Sequence, residues 1–454
     1  MLPLELDRSL PSSLATQLAT QVRAFITSGS LRRGDAIPST RHIARRYGVS
    51  RGTVVAAFDQ LVAEGYLVAT PGGKTRVNAQ VLAVDEPSAR PPRPDTPKMA
   101  DTALDLRPGA SLGAPIADSA WRESWRWAAG ESSTAPEPQG LLATRLAVVE
   151  HLRLMRAMTV PVEDVFLTGG AREGLLLLLS ALQCSDGVRD VALPWPGYPG
   201  LQGVIGRVGM AAQQIPVDSE GLIVSEVAPD ARCLLVTPNH LYPAGGAMPA
   251  ARRTELLADA RRRGALVIED DLDSEYRHVG PVLPSLWELA PDLVAHLGTF
   301  NRVLSSDVRL GYLIAPPQYH GALLAARRDL GAGASVIAQR AAGRYLEQGG
   351  LRRRIIRRRR ELLRRQEAVR EAFALWPIYL LSGGSAVVVL PDQAEVVVQE
   401  CRARGVLVED LAQYWGAVVP DAAGIILDYG SVARPQLVAA LGEISAAVQH
   451  SSGP

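Results

Sequence analysis

The sequence predicts a multi-domain protein: an N-terminal α+β unit, then a larger α/β domain with a mainly parallel sheet and a small C-terminal α+β subdomain. Residues 11–78 hold three helical patterns and a hairpin pattern, residues 80–103 are rich in proline, and strand-like runs alternate with helical segments from residue 104 onward. Such alternation gives a sheet covered by helices on both faces. We therefore expect domains at 1–79 and 104–454, joined by a semi-rigid linker at 80–103.

The N-terminal unit is predicted from its caps and its apolar spacing. Residues 11–29 form an amphipathic helix, Ser39 caps a short helix, and Ser50 caps a third helix over 51–64 that ends at Gly65. The apolar side chains expected in its core are Leu14, Leu18, Val22, Phe25, Ile26, Val54, Val55, Phe58, Leu61 and Val62.

Strand-like runs at 66–70 and 75–78 flank a turn at 71–74 and predict a hairpin. Two helices, a turn, a third helix and a hairpin follow one another in a winged helix-turn-helix, which lays its third helix in the major groove of DNA. Arg51, at the start of that helix, is suited to a bidentate contact with guanine. The predicted DNA contacts are Arg41, Arg45, Ser50, Arg51, Thr53, Gly72, Gly73 and Lys74.

The distribution of charge agrees with a nucleic-acid partner. The whole chain has a net charge of only +1, but residues 1–80 hold ten Lys and Arg against five Asp and Glu. The remaining residues hold 38 basic and 42 acidic side chains. Asymmetry of this kind indicates that the basic segment binds the acidic partner.

Three segments carry a resemblance to a known family. They read Asp-Ala-Ile-Pro-Ser-Thr-Arg at 35–41, Tyr-Gly-Val-Ser-Arg-Gly-Thr-Val at 47–54 and Leu-Val-Ala-Glu-Gly-Tyr at 61–66. Together they resemble the GntR family of bacterial repressors and activators over about residues 10–78. The resemblance implies that double-stranded operator DNA is the partner of this unit.

The larger domain is predicted to contain strands at 165–168, 190–193, 233–237, 265–269 and 294–298, with helices such as 172–182 and 250–263 between them. Its small C-terminal part is predicted to begin near Tyr345. Five motifs lie at strand ends along this domain, at 167–174, 196–200, 237–245, 267–277 and 298–312.

In this order, behind a GntR-type head, the five motifs resemble the MocR subfamily, whose effector domain has the fold of a type I aminotransferase, a pyridoxal phosphate (PLP)-dependent transferase. The resemblance implies that a helix start and Arg309 hold a phosphate, that Tyr198 stacks on a ring, and that Asp270 pairs with a pyridinium nitrogen. The implied pocket residues are Gly170, Ala171, Arg172, Tyr198, Asp270, Thr299, Arg302 and Arg309.

The chain departs from the family at the residue that catalysis needs. The family reads Gly-Thr-Phe-Ser-Lys where this chain reads Gly-Thr-Phe-Asn-Arg at 298–302, and residues 104–454 contain no lysine. An arginine stays protonated and forms no imine. Leu272 stands where the family has a tyrosine, and residues 424–429 offer no arginine for a substrate carboxylate. The sequence therefore predicts a transcriptional regulator, not an enzyme, whose large domain is a non-catalytic sensor and homodimerisation module.

Three interpretations of the pocket stay open. It binds pyridoxal or pyridoxamine phosphate non-covalently, with no PLP–lysine linkage; it binds another anionic effector, with Arg302 as a charge partner; or it is vestigial and scaffolds a dimer. An alternative of another class is an aminotransferase-like PLP enzyme with an accessory DNA-binding head. The missing lysine argues against that enzyme, because it removes both the base and the covalent anchor.

An arginine-rich run at 352–365 has two interpretations: a second surface that faces DNA, or a solvated helix face. The apolar side of that helix is predicted to be Ile355, Ile356, Leu362 and Leu363.

The remaining composition argues against other classes of protein. The three cysteines, Cys184, Cys233 and Cys401, fit no metal-ligand spacing, so we expect no metal site. No apolar run has membrane-spanning length, and the charged residues among the first ten argue against a signal peptide. We therefore expect a cytoplasmic protein with no membrane partner.

Overall fold

Residue contacts in the computed structural model divide the chain into two compact units, Met1–Lys98 and Met99–Pro454. The predicted linker at 80–103, apart from its two end residues, and the turn residues 71–73 lie outside the described part of the chain. The described residues are 3–69, 74–80, 103–109, 116, 118–131, 137–243, 246–277, 283–331, 333–391, 393–414, 423–430 and 432–451.

The N-terminal unit has three helices and a short hairpin, namely α1 (Leu14–Thr27), α2 (Thr40–Tyr47), α3 (Arg51–Ala63), β1 (Leu67–Val68) and β2 (Arg76–Val77). The predicted caps are confirmed, because the hydroxyls of Ser39 and Ser50 accept hydrogen bonds from backbone N–H groups in the first turns of α2 and α3. Such caps stabilise a helix by about 1 kcal/mol each. β1 pairs antiparallel with β2, as the hairpin prediction required.

The core of this unit forms where the three helices face one another. Leu18 and Val22 of α1 are buried against Val54 and Leu61 of α3. The predictions for Val55 and Val62 were wrong, since their side chains are 36% and 38% exposed. One residue of helix turns the side chain by about 100°, so the neighbours of Val54 and Leu61 face solvent.

The larger unit contains β3 (Leu104–Asp105), α4 (Ser119–Gly130), α5 (Leu142–Arg156), β4 (Val165–Thr168), α6 (Ala171–Ser185), β5 (Asp190–Trp195), α7 (Pro199–Arg207), β6 (Ala211–Asp218), β7 (Gly221–Leu222), β8 (Cys233–Val236), α8 (Ala250–Arg263), β9 (Leu266–Asp270), α9 (Leu286–Leu289), β10 (Val294–Thr299), β11 (Gly311–Ile314), α10 (His320–Leu330), α11 (Val336–Glu347), α12 (Gly350–Ala372), β12 (Ile378–Leu380), β13 (Ser385–Val389), α13 (Ala394–Ala403), β14 (Val406–Leu407), β15 (Glu409–Asp410), β16 (Gly424–Asp428) and α14 (Arg434–Ser451). All five predicted strands are present, as β4, β5, β8, β9 and β10.

The main sheet has eight strands in the order β4-β11-β10-β9-β8-β5-β6-β7. The five strands from β10 to β6 run parallel, which confirms a mainly parallel sheet, and β11 runs antiparallel to both of its neighbours. Gly311, at the start of β11, pairs with Thr168 and Thr299, at the ends of β4 and β10. The carboxyl ends of β4, β10 and β9 therefore meet the start of β11 at one edge of the sheet.

Helices cover both faces of this sheet. Phe166 and Ile268 point into a core formed with α6 and α10, whereas the adjacent Leu167 and Val267 point into the opposite core. β9 is therefore buried along its whole length, as a strand of a doubly covered sheet is expected to be. Among the described residues, no helix is long and apolar enough to cross a membrane.

The small C-terminal α+β part was predicted to begin near Tyr345. Tyr345 lies within α11, and its ring packs 5.2 Å from that of Trp121 in α4, so this helix belongs to the body of the larger unit. The small sheet starts at Ile378 and has the antiparallel order β12-β13-β16-β15. The nearby strand β14 pairs in parallel with β3, so the first strand of the unit joins its C-terminal part.

The arginine-rich run forms part of α12, and four of its arginines point inward, which neither interpretation predicted. Their guanidinium groups donate to backbone carbonyls of the loops around residues 275, 303 and 429–432. These four are Arg354, Arg358, Arg359 and Arg365. Ile355 and Leu362 are buried as expected, whereas Ile356 and Leu363 are each 42% exposed.

Candidate functional site

The basic surface of the N-terminal unit lies around the start of α3. Arg41 and Arg45 on α2, and Arg51 at the first position of α3, are exposed, and within the described residues none of them forms an ion pair. Arg23 of α1, by contrast, is bonded to Glu64 through its Nε and Nη2 atoms. The three exposed arginines are therefore available to an external anion such as a phosphate.

Ser50 and Thr53 have a capping role in the structure. The Ser50 hydroxyl accepts a hydrogen bond of 3.0 Å from the Thr53 N–H and lies 2.8 Å from the Thr53 hydroxyl. The cap holds the first turn of α3, and with it Arg51, in place. Contacts of both residues with DNA stay a prediction. Lys74 is exposed, whereas the wing residues Gly72 and Gly73 lie outside the described part of the chain.

A cavity of about 870 Å³ opens at the edge of the main sheet where the strand ends meet. The structure brings together all of the predicted pocket residues in its lining: Gly170, Ala171, Arg172, Tyr198, Asp270, Thr299, Arg302 and Arg309. They lie at or just after the ends of β4, β5, β9 and β10, or just before β11. The topology of the sheet therefore explains why motifs that are far apart in the sequence line one cavity.

One end of the cavity is built for an anion. The 15-residue helix α6 begins there at Ala171, and its first-turn N–H groups have no acceptor within the helix. Gly170 has a φ of +118°, and a Cβ at this position would lie 2.6 Å from Asn301 Nδ2, so only glycine fits. Arg309, with a φ of 52°, lines the same end.

Aromatic side chains form one wall of the cavity. The Tyr198 hydroxyl accepts a 2.7 Å hydrogen bond from Arg172, whose guanidinium carbon lies 5.6 Å from the tyrosine ring centre. The Tyr242 ring packs edge-on against Tyr198 at 5.9 Å, and its hydroxyl donates to that of Tyr414. Sequence reasoning missed Tyr242 and Tyr414, because their meeting depends on how the small sheet packs on the large one.

Asp270 is the last residue of β9, which is separated by β10 from the strand that Arg309 precedes. Burial, together with the charge of Asp271, raises the pKa of the Asp270 carboxyl to about 7. None of the described residues donates a hydrogen bond to this carboxyl. A buried carboxyl that has a raised pKa and accepts no hydrogen bond from the described residues is suited to pair with a protonated nitrogen of a ligand.

Asp271 points into the protein interior instead. Its carboxylate pairs with Arg156, accepts a 2.8 Å hydrogen bond from Asn239 and is also bonded by Ser274. Burial opposes its ionisation, but the charge of Arg156 more than offsets this and lowers the pKa of Asp271. Asp271 is therefore a structural anion, and Asp270 is the carboxyl that faces the cavity.

Arg302 lines the cavity and is held between two carboxylates. Its Nε and Nη2 atoms each donate to Asp273 at 3.0 Å, and Nη1 donates to Asp428 at 3.2 Å. Although burial opposes its charge, these two carboxylates raise the pKa of Arg302. Burial raises the pKa of Asp428 to about 6, although Arg302 lowers it in part. Arg302 thus joins the loop after β9 to the end of β16.

Sequence reasoning missed both carboxylate partners of Arg302. For Asp273 the sequence did hold a signal. An arginine inside a pocket needs a carboxylate partner, and three of the four residues at 270–273 are aspartates. The other partner, Asp428, lies 126 residues from Arg302 in the sequence, and no local pattern links them.

Comparison with known proteins agrees with both units. A model of the bacterial regulatory proteins of the gntR family matches residues 14–77, and a model of the aminotransferase class I and II family matches residues 111–423. The chain is 40% identical over 451 residues to the HTH-type pyridoxine biosynthesis transcriptional regulator PdxR of Corynebacterium glutamicum, with 98% of each chain covered. It is 28% identical over 372 residues to the probable rhizopine catabolism regulatory protein MocR of Rhizobium meliloti, with 76% of this chain and 74% of that protein covered.

Among solved structures, LysN, the α-aminoadipate aminotransferase of Thermus thermophilus complexed with N-(5'-phosphopyridoxyl)-L-leucine, matches with a TM-score of 0.67 at 23% identity. The match covers 78% of this chain and 94% of that one, and it bears on the fold alone. The predicted fold class is confirmed. The gntR match and the named regulators identify a DNA-binding transcriptional regulator.

The exposed arginines of the N-terminal unit generate a prediction about DNA. Arg51→Ala is expected to cost about 1–3 kcal/mol of binding to an operator selected from random DNA, as loss of a base contact does. Arg45→Ala should weaken binding to all DNA sequences. It should also reduce by about 1 the slope of the logarithm of the binding constant against the logarithm of the salt concentration. Fluorescence anisotropy at several salt concentrations measures both. Arg23→Ala is the control, and equal losses in all three variants would contradict the assignment.

The raised pKa of Asp270 predicts a pH-dependent effect on stability. The folded protein binds this proton more tightly than the unfolded chain, whose Asp pKa is 3.8, so the stabilisation is complete at low pH and is lost as the pH rises through about 7. The side chain of the Asp270→Asn variant cannot ionise. Its free energy of unfolding, relative to that of the native protein, should therefore rise by roughly 3 kcal/mol between pH 5 and pH 8.

Thermal unfolding without added ligand at the two pH values tests this expectation. Asp292→Asn is the matched control, because Arg261 lowers the pKa of this exposed carboxyl and its ionisation is complete well below pH 5. A stability difference for Asp270→Asn that is the same at both pH values would show that Asp270 has an ordinary pKa.

Proposed function

The chain belongs to the MocR subfamily of GntR-type transcriptional regulators, and from this premise we propose that its aminotransferase-like unit is a non-catalytic sensor. In this proposal residues 1–79 bind the operator, residues 80–103 are the linker, and residues 104–454 bind an effector and hold a homodimer in the cytoplasm. The proposed effector is pyridoxal or pyridoxamine phosphate, bound without a covalent link. The name of the PdxR relative, a regulator of pyridoxine biosynthesis, supports an effector of this chemistry.

The observation that carries the proposal is the absence of lysine from residues 99–454. Arg302 follows β10 at the position where the resemblance expects the Schiff-base lysine, and it is paired with Asp273 and Asp428. A guanidinium in that environment neither forms an imine nor releases a proton. Amino-group transfer by the usual route has no nucleophile in this unit.

The lining of the cavity nevertheless suits a phosphorylated pyridine. The start of α6 and Arg309 would hold the phosphate, Tyr198 would cover the ring, and Asp270 would pair with the ring nitrogen. Bound there, such a group supplies an electron-withdrawing ring, but no described side chain offers it a covalent anchor. The residues therefore support reversible binding and a response to ligand concentration.

A reduction experiment tests the non-covalent character of binding. Pyridoxal phosphate and pyridoxamine phosphate should each raise the unfolding temperature of the native protein, because a ligand that binds the folded state stabilises it by mass action. After borohydride treatment, peptide mass mapping should find no pyridoxyl group on residues 104–454. A pyridoxyl group mapped to any of these residues would contradict non-covalent binding.

Arg302→Lys supplies the missing amine and is expected to give a borohydride-trapped pyridoxyl group at position 302. The yield should be partial, because Asp273 and Asp428 favour the charged ammonium form over the free amine. Arg309→Lys is the matched control, since its side chain lies at the phosphate end, and it should give no adduct.

The homodimer is the second part of the proposal. A helix-turn-helix reads a two-fold operator best when two copies are held at a fixed spacing. Leu142, Leu146 and Leu154 are 46–50% exposed on α5, and an apolar helix face of this kind supports a contact with a second chain. Sedimentation of the full-length protein at micromolar concentration should give a dimer, and Leu146→Arg should shift it toward the monomer. A native monomer would contradict this part of the proposal.

A further inference from the structure

The cavity has two ends of opposite charge. Neighbouring strands lie about 4.8 Å apart, and β9 is two strands away from β11, so Asp270 lies roughly 10 Å from the start of β11 and the adjacent Arg309. Arg172 lies at the same end as Arg309, on the first turn of α6. Arg207, the last residue of α7, also lines the cavity. Arg172 and Arg309 therefore stand together at the phosphate end.

Among the described residues, three carboxyl groups and a guanidinium stand at the other end. Asp270 and Asp273 line the cavity, Asp428 lies directly behind, and Arg302 is the guanidinium between them. Three of the Arg302 N–H groups point at carboxylate oxygens, and the Gly383 carbonyl accepts a fourth bond at 3.3 Å. Arg302, the cation that the described lining places at this end, is therefore already satisfied by protein oxygens, and the end is acidic when its carboxyls are ionised.

The pairing is held by the backbone. Asp273 has a φ of 60°, which is unusual for a residue other than glycine, and its carboxylate accepts two hydrogen bonds from Arg302. A Cβ at Gly383 would overlap that carboxylate, so the two loops are packed in contact. Asp428 has no exposed side-chain surface and accepts a second hydrogen bond, of 2.7 Å, from the Gly430 N–H. Arg302 is thus fixed on two sides and is not free to follow a ligand.

We propose that the Asp273–Arg302–Asp428 cluster makes the cavity select a phosphorylated pyridine with a cationic or neutral ring substituent, and reject one that carries a carboxylate. The proposal rests on the function proposed above and names the chemical form that the sensor detects. A free amine, as in pyridoxamine phosphate, is attracted by the acidic end, whereas an amino-acid adduct of the same ring brings a carboxylate toward it. The regulator therefore responds to the free cofactor and not to its amino-acid adducts.

The physical argument is that selectivity is a difference of two binding free energies, and a like charge placed in a buried site is an effective way to reject one ligand. A substrate carboxylate needs an unpaired cation at this end. Arg302 does not provide one, because releasing it from either aspartate leaves a buried carboxylate without its partner. In this proposal, the arginine at position 302 both removes the nucleophile needed for catalysis and leaves the cavity without an unpaired cation for a ligand carboxylate.

Calorimetry with two probes on the full-length protein tests the proposal. The probes are pyridoxamine phosphate and N-(5'-phosphopyridoxyl)-L-leucine, which share the phosphate and the ring and differ in the carboxylate-bearing substituent. We expect pyridoxamine phosphate to bind the native protein at least about tenfold more tightly, since like charges in one site cost more than 1.4 kcal/mol.

Two variants change the acidic end in opposite directions. Asp428→Asn removes one negative charge and frees the Nη1 side of Arg302, so affinity for the leucine adduct should rise by about tenfold while selectivity falls. Arg302→Gln leaves the carboxylates without their cation and should weaken binding of the adduct further. Asp292→Asn, which breaks an exposed ion pair elsewhere in the unit, is the control and should leave the selectivity unchanged.

The outcomes separate the two proposals. Equal affinity of the native protein for both probes overturns the selectivity while leaving the sensor function intact. If neither probe binds, the proposed effector chemistry is wrong, and the selectivity falls with it. Because the native protein gives the main comparison, the test does not depend on the folding of either variant.

Discussion

The packing of the small sheet on the main sheet depends on a buried ionic cluster, in which Arg302 is held between Asp273 and Asp428. These three residues belong to the loop after β10, the loop after β9 and the end of β16, so the cluster joins the main sheet to the small one. A buried charge is costly unless opposite charges and hydrogen bonds surround it, and removing one partner of such a pair typically costs about 3–5 kcal/mol. The cluster therefore constrains how the small sheet sits over the cavity.

Side chains of α12 and two tyrosines add hydrogen bonds around this cluster. Inward-pointing arginines of α12 donate to the carbonyls of Tyr429 and Gly430, directly after Asp428, and to that of Val303, directly after Arg302. Tyr242 and Tyr414 add a hydroxyl pair across the same boundary. Arginine, with five donors and no acceptor, is well suited to gather loop carbonyls in this way. The wall of the cavity is thus held by hydrogen bonds from several sides.

The separation of charge within the cavity has a simple origin in the fold. A helix start and its neighbouring arginines meet at the β4–β11 side of the sheet edge, and the aspartates follow β9 on the other side. A ligand with an anionic group at one end and a protonated nitrogen at the other matches this arrangement. In the N-terminal unit, Arg23 on α1 is paired with Glu64, whereas the exposed Arg41 and Arg45 on α2 and Arg51 at the start of α3 form no ion pair among the described residues.

The amino-acid sequence was enough to predict the caps of α2 and α3, five strands of the main sheet and the order of the pocket motifs, and it shows the lack of lysine after residue 98. These are local patterns or matters of composition, and they do not depend on which distant segments meet. Three features depend on tertiary packing: Val55 and Val62 face solvent, Tyr345 belongs to α11 in the body of the unit, and Arg302 is paired with two aspartates. Its partners lie 29 and 126 residues away, and the packing of strand ends and loops alone brings them within hydrogen-bonding distance.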